Sequence, residues 1–138
     1  MRSSRSALLS ASIVRAAAVL IPITLLALAA IHPLTFGSLP NTDDGLLHLV
    51  RLIGLDHALR HGDPWPRYVP GLVYGYGLPL FNFYSPLSLY LFEALHLVGT
   101  PFLDSMLAGL VVYIVIGGLG AYKLGDGWGG PAAGVSTA

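Results

Sequence analysis

The sequence predicts an all-α integral membrane protein with about three transmembrane helices and one amphipathic helix lying in the membrane interface. Three observations carry this. Of the 138 residues 54% are hydrophobic and only 10% are charged, against roughly 25% charged in soluble domains. Mean hydropathy is +0.71. The apolar residues are gathered into long runs, with most of the polar ones in an island between them. The formal net charge is zero, so the chain offers no basic footprint for nucleic acid and no acidic tail. There is no cysteine, which excludes disulfides and thiolate metal sites and suits either side of a membrane.

Residues 1–15 form a basic N-terminus with Arg2, Arg5 and Arg15 and no acid, followed by an unbroken apolar run, so the first transmembrane helix is expected over residues 16–36. Arginine before the span is expected to hold the N-terminus in the cytoplasm, and with the further spans below the chain reads as a multi-pass protein of the cell membrane. Pro22 falls within the first turns of that span, where a missing amide proton matters least. A cleavable signal peptide is the rival reading, because Ala27-Leu28-Ala29 imitates a cleavage site, but the apolar stretch is long for such a segment.

Residues 37–85 read as an extracytoplasmic loop. Within it, residues 43–61 read as an amphipathic interfacial helix, capped by Thr42 and ended by Gly62-Asp63-Pro64. Asp44, His48 and Arg51 stand at i, i+4 and i+7, within about 60° of arc on a helix of 3.6 residues per turn. An acid, an imidazole and a guanidinium thus share one stripe. Leu46, Leu49, Val50 and Ile53 make the opposing apolar face. Asp43 and Asp44 then sit in the first turn, where capping and the helix dipole by themselves account for carboxylates. His57 and His61 lack the intervening glutamate of a zinc-protease helix and read as polar surface. Trp65, Tyr68, Tyr74 and Tyr76, set among prolines and glycines, suit a belt at the headgroup level or the wall of a groove.

A second transmembrane helix is expected over residues 77–99, with its firm part beginning at Pro86 after Ser85. Glu93 lies inside it with His96 one turn on. A carboxylate there faces a partner helix or a wet cavity, or else the helix ends sooner and Glu93 lies near the interface. The third span is expected over residues 102–123, anchored by Tyr122 and Lys123, with Gly117 and Ala121 spaced for close helix approach. Residues 124–138 read as a glycine turn and the start of a truncated fourth helix. Three spans and an interrupted fourth leave faces that only the remaining transmembrane helices of a longer protein cover, so the chain reads as an N-terminal fragment, inactive alone.

The runs DGLLHLVRL, ALRHGDPWPRY, GYGLPLFNFYSPLSLYL and GLGAYKL, within about residues 43–133, resemble the bacterial membrane family labelled 6-pyruvoyl-tetrahydropterin synthase-related, multi-spanning proteins of the GT-C glycosyltransferase type. The label records no pterin chemistry. The resemblance implies transfer of a sugar from a polyprenyl-phosphate donor at the extracytoplasmic face, with membrane lipid as the surrounding partner. In GT-C enzymes an acidic residue or pair after the first span serves as general base or helps hold a divalent cation. TDDGLLHLVR stands there, so Asp43 and Asp44 inherit the catalytic role, and His48, Arg51, Arg67 and Tyr76 are the implied substrate-binding residues. A carboxylate can take the acceptor proton while a neighbouring cation offsets phosphate charge. A non-catalytic membrane protein of the same fold, handling lipid or assembly, is the alternative.

Overall fold

The computed structural model describes residues 2–35 and 44–130. It is mostly helical: α1 (Arg2–Ile31), a 3₁₀ turn (His32–Thr35), α2 (Gly45–Arg60), a second 3₁₀ turn (Val73–Gly75), the single turn α3 (Leu80–Phe83), α4 (Leu87–Leu97) and α5 (Phe102–Gly129). Among the described residues the only β pairing is an isolated antiparallel bridge between Val69 and Leu78. The chain divides into two compact units, Met1–Pro33 with Leu110–Ala138, and Leu34–Gly109.

In the first unit, two stretches are long and apolar enough to cross a membrane: Val14–Leu34, 21 residues, and Phe102–Gly129, 28 residues, the latter starting in the second unit. Only 17% of each apolar window is buried. On α1, Ile23, Ala27 and Ile31 are buried at successive helical spacings. Helix α1 begins far upstream of the apolar run, which puts Pro22 in the helix interior and not in its first turns. There Pro22 donates nothing to the Ala18 carbonyl, a loss that helices in lipid tolerate. The glycine that meets α1 is Gly118, where a Cβ would lie 2.8 Å from Cγ2 of Ile23; a Cβ at Gly117 would meet nothing within 4 Å. Helix α5 also runs on past residue 123 to Gly129, through the segment expected to turn. The expected opening of a fourth helix falls largely on residues 131–138, outside the described residues.

The second unit is built on α2 packed against α4. Its core holds Leu52 and Leu55 of α2, Val69, Leu80 and Phe81 of the connecting segment, Leu89 and Phe92 of α4, and Met106 of α5. The protein-covered side of α2 is therefore distinct from the apolar face that Leu46 and Ile53 share. Leu46 is 65% and Ile53 44% exposed, while Arg51 is buried. Nearly every face of this helix carries leucine, so leucine count does not tell which face α4 covers. The single helix expected over residues 77–99 is replaced by α3 and α4. Pro79 stands at the start of α3, the extended Tyr84 and Pro86 separate α3 from α4, and Gly99 with φ 105° closes α4. At 11 residues and ~1.5 Å per residue, α4 reaches about half of a ~30 Å hydrocarbon core. It lies outside the two membrane-length helices.

Between α2 and α3 the chain folds back on itself. Val69 and Leu78 exchange backbone hydrogen bonds of 2.8 and 3.1 Å, and Phe81 N–H donates to the Arg67 carbonyl at 3.2 Å. Val73 and Tyr74 at the tip have φ of 53° and 58°, a left-handed conformation that is costly for a β-branched residue. Gly77, at φ 79°, lies under Tyr68, whose hydroxyl donates to the Tyr76 carbonyl. Tyr90 of α4 holds the other side of this segment. Its hydroxyl donates to the Pro64 carbonyl at 2.5 Å, and its ring lies 5.7 Å from that of Trp65. Burial, then the Asp63 carboxylate, push the Tyr90 phenol above its ordinary value.

The closest glycine contact between helices yields a stability prediction. A Cβ at Gly109 would lie 2.1 Å from Cδ1 of the buried Phe92 ring, whereas at Gly118 the nearest atom, Ile23 Cγ2, stands 2.8 Å away. Gly109→Ala should therefore destabilise the protein by ~1–3 kcal/mol through overpacking, and Gly118→Ala by less. Thermal unfolding in detergent followed by circular dichroism measures both. Recovery of the Gly109→Ala loss by Phe92→Leu is the expected signature of the ring contact.

Candidate functional site

Helix α2 starts at Gly45, so Asp44 is the N-cap residue and not, as expected, a first-turn residue. It is exposed, its carbonyl accepts from His48 N–H at 3.1 Å, and its side chain makes no capping hydrogen bond. Its carboxylate is thus not occupied in holding the helix end. Asp43 and Thr42 lie outside the described residues.

One turn along, His48 is exposed and Arg51 is only 8% exposed. Arg51 Nη1 stands 3.5 Å from His48 Nδ1, and the guanidinium carbon lies 3.8 Å over the centre of the Tyr84 ring. The Arg51 Nε is buried with no hydrogen-bond partner. This cation is drawn into the fold by Tyr84, which the sequence reasoning did not single out; its stacking joins α2 to the bend before α4. The Asp44–His48–Arg51 spacing does form on one helix, but its third member points into protein.

Arg67 and Tyr76 belong to the folded-back segment. Both are exposed, Tyr76 to 83%. Neither side chain has a hydrogen bond, ion pair or ring contact with Asp44, His48 or Arg51. An open groove of about 270 Å³ separates the end of this segment from α2, walled by Val50, Ile53, Gly54 and His57 on the helix and by Val69 and Leu72 opposite. A Cβ at Gly54 would lie 2.9 Å from Val69 Cγ1, so the absent side chain is what lets the segment approach. At the end of the same helix the His57 and His61 rings lie tilted at 37° with centroids 4.1 Å apart, and His61 Nδ1–H donates to the His57 carbonyl at 2.6 Å. Among the described residues no group of three His, Asp or Glu side chains is gathered to hold a metal ion.

A second cluster lies between α2 and α4. Glu93 of α4 is 1% exposed, and neither carboxyl oxygen has a hydrogen-bond partner. Beside it stands Asp56 of α2, which accepts from Arg60 Nε at 2.5 Å and lies 4.0 Å from His96 Nε2. His96 donates through Nδ1–H to the Thr100 carbonyl at 2.8 Å, and its ring stacks on Phe102 at 3.7 Å, so Nε2 is the nitrogen turned to the acids. Burial first, then the Asp56 carboxylate, hold the Glu93 carboxyl above its ordinary value; His96 and Arg60 act in the opposite sense. Glu93 therefore does find a partner helix, as one reading of the sequence required. The partner is α2.

Fold and site together describe a helical chain with two helices of membrane-crossing length and, between them in the sequence, a helical segment carrying an exposed acid at the head of α2. Comparison with protein-family models, curated proteins and solved structures finds no match.

Proposed function

We propose that this chain is the N-terminal part of a multi-spanning membrane protein of the GT-C type, which transfers a sugar from a polyprenyl-phosphate donor at the extracytoplasmic face. The observation that carries the proposal is the Asp44 carboxylate: it is exposed and free of capping duty, with His48 one turn away, in the segment that follows the first membrane-length helix. A base that must reach an acceptor hydroxyl needs that accessibility. The open groove beside α2 is apolar enough for part of a polyprenyl chain, and Arg67 and Tyr76 are exposed for donor contact. The resemblance of DGLLHLVRL and GYGLPLFNFYSPLSLYL to the synthase-related membrane family supports the same reading. One observation favours the non-catalytic alternative: Arg51 stacks on Tyr84 and so does not present its guanidinium to a donor phosphate. The test is transfer from a lipid-linked sugar by the purified full-length protein. Transfer supports the enzymatic reading, and a folded protein that binds the donor without transfer supports the alternative.

The membrane arrangement within this proposal has two crossings in the described chain, α1 and α5, because α4 is too short to cross. Arg2, Arg5, Arg15 and Lys123 then share the cytoplasmic side, and the stretch between the crossings is extracytoplasmic. With an impermeant thiol reagent on intact cells, Ser85→Cys should be labelled and Ser136→Cys protected. Labelling of Ser136→Cys would restore a third crossing, and protection of Ser85→Cys would reverse the orientation.

A further inference from the structure

We propose that the groove between α1 and α5 at Arg15 and Lys123 binds an anionic phospholipid, its phosphate between the two cations and the upper part of an acyl chain along the apolar wall. The groove encloses about 260 Å³; Arg15, Val19 and Leu20 of α1 face Leu119, Tyr122 and Lys123 of α5. With Ile23 against Gly118 further along, the two helices run antiparallel, which brings the basic start of one beside the basic end of the other. Arg15 and Lys123 are both exposed, and neither forms an ion pair with a described acid. Two unpaired like charges converging on one groove repel each other, and a single anion between them removes that repulsion.

The remainder of the lining decides which anion. A soluble phosphate needs only the cations, whereas here the polar mouth gives directly onto Val19, Leu20 and Leu119, and Tyr122 stands where an amphipathic ring meets headgroups. Basic pockets between helices at the cytoplasmic membrane face have the chemistry that holds anionic headgroups. Its lining includes neither Asp44 nor any residue of the Glu93 cluster. It rests on the membrane reading of α1 and α5, but not on sugar transfer.

The test is native mass spectrometry of the protein released from nanodiscs containing equal amounts of phosphatidylglycerol and phosphatidylcholine. The wild type should retain phosphatidylglycerol roughly thirtyfold over phosphatidylcholine, at about fivefold per cation. Arg15→Gln and Lys123→Gln should each lose about fivefold, and the double variant should retain the two lipids equally. Leu119→Trp, which keeps both cations and fills the groove, should lose the retained lipid. Equal retention by the wild type, needing no variant, overturns the proposal. So does an undiminished preference in the double variant, or displacement of the lipid by glycerol phosphate at comparable concentration, which would make the site one for a soluble anion. Failure of the membrane reading has a different signature: a monodisperse protein in buffer without detergent.

Discussion

Glu93→Gln should stabilise the protein at neutral and alkaline pH and flatten the pH dependence of its unfolding. The Glu93 side chain is enclosed between α2 and α4, with both oxygens lacking donors and the Asp56 carboxylate alongside. An ionised carboxylate there has lost its hydration without gaining hydrogen bonds. Because its folded pKa is raised above the ordinary value of 4.5, the protonated form is the one the fold favours. The associated stability is fully present below that ordinary value and is lost as pH rises through the raised folded value. Wild type should thus unfold more readily at pH 8 than at pH 5. Glutamine has the size of the protonated acid, cannot ionise, and can donate its amide to Asp56. The expected gain is ~1–3 kcal/mol at pH 8, read as the shift of the thermal or denaturant midpoint in detergent. A variant less stable than wild type at pH 8, with the same slope against pH, would mean that Glu93 is ionised and paired in the fold.

Asp44→Asn should abolish sugar transfer by the full-length protein, by roughly 10²–10⁴-fold if Asp44 is the general base, while leaving abundance and insertion unchanged. Asparagine matches aspartate in size and in preference for the N-cap position. Since the Asp44 side chain makes no capping hydrogen bond, the helix start has nothing to lose. Asp43→Asn is the paired measurement. Loss with Asp44→Asn alone assigns the base to the residue that shares a stripe with His48; loss with Asp43→Asn alone moves it back by one residue. Full activity in both variants would leave the acidic pair without a catalytic role.

Much of the architecture is legible in the order of residues. The apolar run after Arg15 and the run around Leu110–Ile116 are each long enough to demand helix and poor enough in charge to demand an apolar surround. The α2 helix was also readable, from its leucine-rich stretch and the Gly62-Asp63-Pro64 stop. Its packing was not. Periodicity picks out a buried face only where one face is distinctly polar, and α2 carries leucine or isoleucine on nearly every side. The choice between Leu46 with Ile53 and Leu52 with Leu55 rests with α4. Composition likewise counted residues 77–99 as one span although Pro79 and Pro86 were visible, because hydropathy sums side chains and takes no account of where the backbone can continue a helix.

The sites divide in the same way. The sequence by itself determined that Asp44, His48 and Arg51 share a helical stripe, since spacing along one helix needs no tertiary knowledge. Only the tertiary structure decided that Arg51 turns onto Tyr84, that Gly118 meets Ile23, that Glu93 closes on Asp56, and that Arg15 shares a groove with Lys123. Each of these is a contact between elements far apart in the chain. Such contacts follow from which faces exclude one another's water and from how closely backbones approach, and no local pattern of residues encodes either.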